Sequence, residues 1–229
     1  MLLLAGLGAG GAMLCLLCVH VALQYSAVYS ARQTVQEQSL GLQFPCIVKG
    51  TDLTALQLAS YDGPFWEDGS ADEVAEIAAL VIQNTGDSFV AEGAVVLDWG
   101  EDRFVFEFSG LPPGQKVLVL EKMRKAYQRL PEFRCSGWSR EETPADTQMA
   151  EVLPAGMGEL AFLNTADVQL SGVTAVYKHY DPGSGMLIGG IAYRETVVKL
   201  QPGERRTVTP RCYSGNASRI VQVTVERHG

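Results

Sequence analysis

Leu80-Val81-Ile82-Gln83-Asn84-Thr85-Gly86-Asp87 is echoed eighty residues later by Leu160-Ala161-Phe162-Leu163-Asn164-Thr165-Ala166-Asp167. Each is a short apolar run closed by an Asn-Thr turn, which is the pattern of a buried strand and its exit. An asparagine suits that exit because its side chain bonds nearby backbone. Further along, Leu111-Pro112-Pro113-Gly114-Gln115 follows the first copy and Leu200-Gln201-Pro202-Gly203-Glu204 follows the second. Pro-Gly sets a tight turn. The chain therefore reads as two copies of one unit: strand, Asn-Thr turn, further strands, Leu-Pro-Gly turn, closing strand. The second copy is longer. A hairpin around Asp181-Pro182-Gly183-Ser184-Gly185, joining Val173–Tyr180 to Met186–Val198, absorbs the excess. Evenly spaced strands with such turns point to β-sandwiches.

In the first copy the expected strands are Leu53–Ala59, Val74–Gln83, Val90–Asp98, Arg103–Ser109 and Lys116–Glu121. Val74–Gln83 also carries a helical pattern; the turn that ends it and the repeat decide for a strand. Phe104, Phe106 and Phe108 fall on one face at period two, as a half-buried strand requires. Glu121–Leu130 is charged and free of proline, which suits a short helix. The stretch after Pro131 is rich in Pro, Glu, Ser and Thr and reads as a linker.

The N-terminus is of another kind. Leu2 to Leu23 is almost wholly apolar, and the first charged side chain is Arg32. Those 22 residues make a helix of roughly 33 Å, enough to cross a bilayer. A cleaved signal peptide would want a basic start and a shorter apolar core. The length favours a retained anchor, with Gln24–Gln38 continuing as a polar stalk. Arg32 and Lys49, counted alone, would hold the following residues inside. A short tail before a large domain is instead the signal-anchor layout, and the expectation adopted is a globular part outside. Gly6 and Gly10 stand at the spacing that lets two membrane helices approach closely, so a helix–helix dimer is one reading of them. Cys15 and Cys18, inside the apolar run, read as small hydrophobes or acylation sites.

The chain of 229 residues has a net charge of −8. Residues 32–139 hold 9 basic and 16 acidic side chains; residues 140–229 hold 9 and 10. Neither half has the basic excess that phosphate binding needs, so nucleic acid is not expected as a partner. Cys46, Cys135 and Cys212 form no metal or redox spacing. Three buried free thiols is the preferred reading. A Cys46–Cys135 bridge is the alternative in an oxidising compartment.

No arrangement for catalysis stands out. Of three histidines, only His179 falls on an expected strand; His20 lies in the apolar run and His228 at the end. No G-x-S-x-G, H-E-x-x-H or P-loop pattern is present. Gly183-x-Gly185 with Gly189-Gly190 does not lead from a strand into a helix, so a hairpin turn is preferred to a phosphate loop. Glu67, Asp68, Asp72, Glu73 and Glu76 cluster beside Phe65 and Trp66. Their spacing is not that of a calcium loop, and a solvated acidic loop is the preferred reading. Trp66, Trp99 and Trp138 serve either as packing or as an aromatic face. Asn216-x-Ser218 fits a glycosylation acceptor. No catalytic, cofactor-binding or metal-ligating residue is assigned, and no cofactor is expected.

The Asn-Thr-Gly turn followed by Leu-Pro-Pro-Gly-Gln and an apolar strand resembles bacterial immunoglobulin-like modules of the CARDB type, which are linked with cell-surface adhesion. Tyr177-Lys178-His179-Tyr180, Gly189-Gly190-Ile191-Ala192-Tyr193-Arg194, Pro202-Gly203-Glu204 and Ser218-Arg219-Ile220-Val221 look like the C-terminal halves of uncharacterised bacterial membrane-anchored proteins. The resemblance implies a fold and a location, without an assigned activity. The expected fold class is mainly β, with an N-terminal transmembrane helix followed by two immunoglobulin-like β-sandwich domains. The expected divisions are a transmembrane signal-anchor at 1–31, a stalk at 32–39, a first sandwich at 40–130, a linker at 131–144 and a second sandwich at 145–229. Residues 2–23 make the membrane the expected partner, a second copy through Gly6 and Gly10 is one further reading, and a protein partner is not identified. The expected role is a non-catalytic binding or structural module of the cell envelope, with an accessory subunit of a membrane secretion or transport complex as the alternative. Gly189-Gly190 is expected to be structural, allowing a bulge or a close backbone approach. Tyr193 is expected to point inward and Arg194 outward.

Overall fold

A computed structural model describes residues 44–70, 72–129, 132–142 and 149–227. The apolar segment, its Gly6 and Gly10, the stalk and His228 lie outside the described residues. Among those described, no helix is long and apolar enough to cross a membrane. The chain is mainly β. Its strands are β1 (Cys46–Ile47), β2 (Leu53–Pro64), β3 (Glu73–Asn84), β4 (Phe89–Trp99), β5 (Asp102–Leu111), β6 (Lys116–Leu120) and β7 (Arg134–Glu142), followed by β8 (Ala150–Pro154), β9 (Leu160–Asn164), β10 (Leu170–Asp181), β11 (Met186–Leu200), β12 (Arg205–Val208) and β13 (Ser218–Arg227).

The two halves repeat one pairing scheme. In the first, β3 pairs with β2 and β6, and β4 pairs with β5 and β7, all antiparallel. In the second, β9 pairs with β8 and β12, and β10 pairs with β11 and β13, again antiparallel. A parallel pairing of β6 with β11, Val117 opposite Leu187 and Leu118 opposite Ile188, joins the copies. It fuses one sheet from each half into a seven-stranded sheet ordered β1-β2-β3-β6-β11-β10-β13. The described residues form one compact unit.

Each half closes two sheets over its own apolar core. In the first, Leu58, Leu80 and Ile82 from β2 and β3 meet Val95, Phe104 and Phe106 from β4 and β5. Phe104, Phe106 and Phe108 are all buried, because period two turns them to one face. In the second, Phe162 of β9 meets Val173, Ala175 and Tyr177 of β10. The Leu-Pro-Gly turns are hydrogen-bonded to the two asparagines in the same way. Gly114 N–H donates to the Asn84 carbonyl, and Gly203 N–H to the Asn164 carbonyl.

Two segments differ from the sequence reading. Residues 121–129 form turns and a bridge from Ala126 to Ile77 in place of a helix. The buried Glu121 shapes this stretch by accepting hydrogen bonds from the N–H groups of Val105, Met123 and Lys125. Residues 134–142, within the stretch read as a linker, are β7, which runs along β4 from Leu97–Cys135 to Phe89–Glu142. Its polar composition suits a strand with one exposed face, and burial alternates residue by residue from Arg134 to Arg140.

Candidate functional site

The chemistry-bearing residues gather where β5 of the first half lies on β10 and β11 of the second. Lys178 sits on β10 two residues after Val176, so both point to the face turned toward β5. It is wholly buried. Its Nζ donates to the carbonyls of Ser109 at 2.9 Å, Gly190 at 3.1 Å and Ile191 at 3.1 Å. An ammonium has three protons, and three acceptors engage them. Ser109 adds a second link: its Oγ donates to the Gly190 carbonyl at 3.1 Å and accepts from Ala192 N–H at 2.9 Å.

Glu67 approaches the same place from the loop after β2. Its Oε1 accepts from Leu120 N–H at 2.7 Å and its Oε2 from Gly190 N–H at 2.5 Å. One carboxylate thus holds β6 and β11 at once. Gly190 meets both groups, its N–H on Glu67 and its carbonyl on Lys178. Only a residue without a side chain fits there. A Cβ at 190 would come within 2.1 Å of the Glu107 carbonyl oxygen and 2.2 Å of Glu67 Oε2. Gly189, with φ of +78°, lies as close to Trp66, whose Cβ would be 2.6 Å from an added Cβ. The expected close backbone approach is therefore found at both glycines.

Burial pushes Glu67 up to about 7, against the two N–H bonds and the positive charge of Lys178. Burial pushes Lys178 down to about 7, and the Glu67 carboxylate opposes it. On the other face of β10, His179 lies 4.2 Å from Trp66 and 5.3 Å from Tyr193, between ring centroids. Burial and then the charge of Lys178 lower its pKa, while a bond to the Ala217 backbone raises it. A cleft of about 470 Å³ opens beside these residues, bordered by Glu67, Glu107, Ser109, Lys122, Arg124 and Gly190. Its rim charges are paired: Lys122 with Glu107, and Arg124 with Asp68 and Asp72. Arg124 also lies 4.3 Å above the Phe65 ring.

The acidic loop divides in two. Asp68 and Asp72 are exposed and hold Arg124, whereas Glu67 turns inward. Among the described residues no three His, Cys, Asp or Glu side chains are placed to hold a metal ion. The tryptophans do not share a face. Trp66 packs near Phe65 and Leu120, Trp99 against the first core, and Trp138 is exposed on β7. Tyr193 packs against the second core and Arg194 is exposed. Sequence reasoning missed Glu67 and Lys178 as a pair. The available signal was a lysine at an apolar-face position of β10, two residues after Val176, which alternation marks as unusual. Nothing in the sequence indicated that Glu67 would reach β11, 123 residues away.

No protein-family profile and no curated protein matches the chain. Among solved structures, a match at a TM-score of 0.17 and 13% identity is the C-terminal globular domain of an oligosaccharyltransferase from Pyrococcus abyssi. The match covers 74% of this chain and 46% of that one, a likeness too slight to carry an argument about fold or function.

Proposed function

We propose that the chain is a membrane-held, non-catalytic binding or structural module of the cell envelope. In this reading residues 2–23 are the anchor, and two immunoglobulin-like sandwich domains form one body outside the membrane. The observation that carries the reading is the use of the buried charges. All three Lys178 protons and both Glu67 oxygens are engaged by backbone groups at the joint between the halves. Such groups brace strands, and a braced double module is suited to presenting a surface at a fixed distance from its anchor.

Two measurements test this. The full chain should stay with membranes through carbonate extraction; recovery of a soluble form beginning near Ala31 would defeat the anchor. Capture experiments should then compare the full chain with a form lacking residues 1–31. Partners retained without the helix support a binding module. Partners lost with it would replace this reading with that of an accessory subunit held through its helix.

A further inference from the structure

Strands β1 and β7 are edges of the two sheets of the first half, and contacts made by β1, β7 and the residues flanking them align the two segments. Phe44 stacks on Phe133 with ring centroids 5.0 Å apart. Val48 lies against Gly137, where an added Cβ would be 2.7 Å from Val48 Cγ1. Midway between these contacts, Cys46 and Cys135 are neighbours, each thiol perturbing the other. The contacts are 44 with 133, 46 with 135 and 48 with 137, so each partner lies 89 residues further on. Two strands in contact at every second residue, in the same direction, face each other side chain to side chain. Cys46 and Cys135 are the middle pair, and both are half-buried against the first core.

We infer that Cys46 and Cys135 are a dithiol site that closes to a disulfide, tying the edge of one sheet to the edge of the other. The co-reactant is a small-molecule disulfide such as oxidised glutathione. The thiolate of one cysteine attacks one sulfur of that disulfide and expels its first thiolate, giving a mixed disulfide on that cysteine. The other cysteine then loses its proton and attacks the protein sulfur of the mixed disulfide, expelling the second thiolate. Two protein thiols are oxidised and one small disulfide is reduced to two thiols, the two protons released by the protein being taken up, through water, by the two expelled thiolates. Cys212 lies apart, beside Tyr177 and Tyr193, and takes no part.

This inference does not rest on the functional reading, since the reaction is tested in solution whatever the chain's location. The full chain in detergent is equilibrated with excess oxidised glutathione, quenched by alkylation, digested and mapped by mass spectrometry. The expected result is one peptide pair joining Cys46 to Cys135, lost on adding dithiothreitol, with Cys212 outside it. The closed loop spans about 90 residues, so oxidation should raise the unfolding midpoint by roughly 10 °C. Cys46→Ser with Cys135→Ser should abolish that rise, while Cys212→Ser should keep it. Alkylated Cys46 and Cys135 after full equilibration, or glutathione held on each separately, would overturn the inference. Mapping of the unaltered chain gives the answer even if a variant fails to fold.

Discussion

Asn84 and Asn164 occupy one position in two copies of the same corner. Asn84 Nδ2 donates to the carbonyls of Ser88 at 2.8 Å and Leu111 at 3.1 Å, and its Oδ1 accepts from Gly86 N–H at 3.0 Å. Asn164 Nδ2 donates to Val168 and Leu200, both at 2.9 Å, and its Oδ1 accepts from Ala166 N–H at 2.9 Å. Both side chains are buried. Each therefore ties its own turn to the leucine that begins the Leu-Pro-Gly turn.

Replacing either asparagine by alanine leaves two carbonyls and one N–H without this partner. Asn84→Ala and Asn164→Ala should each lower stability by about 2–3 kcal/mol, read from urea denaturation. Asp at either place should also destabilise, since its carboxylate would face two carbonyls. A variant as stable as the unaltered chain would show that the corner is held by the turns alone.

The asparagine corners explain why so much of the strand order was legible. The motif is local: the turn and the strand before it lie within eight residues, and alternation marks the strands around it. The same locality explains what was missed. β7 carries Arg134, Ser136, Ser139 and Arg140, a composition that resembles a linker because one of its faces is exposed. Its pairing with β4 joins residues from Asp98 with Arg134 to Phe89 with Glu142, far apart in the chain, and local pattern does not record such a contact. Glu67 is the same case. Its neighbours Asp68, Asp72 and Glu73 are exposed, so it reads as one of them, until the fold brings Leu120 and Gly190 to its two oxygens.

Lys178 should be hard to replace. In Lys178→Met the carbonyls of Ser109 and Ile191 lose their lysine proton inside the protein, and a cost of about 3 kcal/mol is expected. Lys178→Arg should not restore the loss. A planar guanidinium cannot direct three protons from one atom, and it is larger than a fully buried site accepts. Thermal unfolding of both variants checks this. A Met variant of unchanged or higher stability would show that the ammonium is tolerated rather than needed.

The two buried charges set opposite pH limbs. Glu67 has its pKa raised from 4.5 to about 7, so folding favours its protonated form. Its contribution is complete below the unfolded value and is lost as pH rises through about 7. Lys178 has its pKa lowered from 10.5 to about 7, so folding favours its neutral form. Its contribution is complete above the unfolded value and is lost as pH falls through about 7. Glu67→Gln keeps the shape and removes the first limb. Relative to that variant, the unaltered chain should lose on the order of 1–3 kcal/mol between pH 4.5 and 7. Denaturation midpoints of the two proteins across that range give the difference. A constant gap would mean that Glu67 keeps an ordinary pKa in the folded chain.

Gly190 and Arg194 lie four residues apart on β11 and should respond in opposite ways. An added Cβ at 190 meets the Glu107 carbonyl at 2.1 Å, and backbone on β5 cannot yield without moving its strand. It also meets Glu67 Oε2 at 2.2 Å, which would displace the carboxylate from the Gly190 N–H. Gly190→Ala should therefore cost about 2–4 kcal/mol, and Gly190→Val more. Arg194 is exposed, and Arg194→Ala should stay within about 0.5 kcal/mol of the unaltered chain. Calorimetry of the purified variants ranks them. If Arg194→Ala instead abolished partner binding at unchanged stability, β11 would be the recognition surface. The brace formed by Glu67, Gly190 and Lys178 would then be what holds that surface in place.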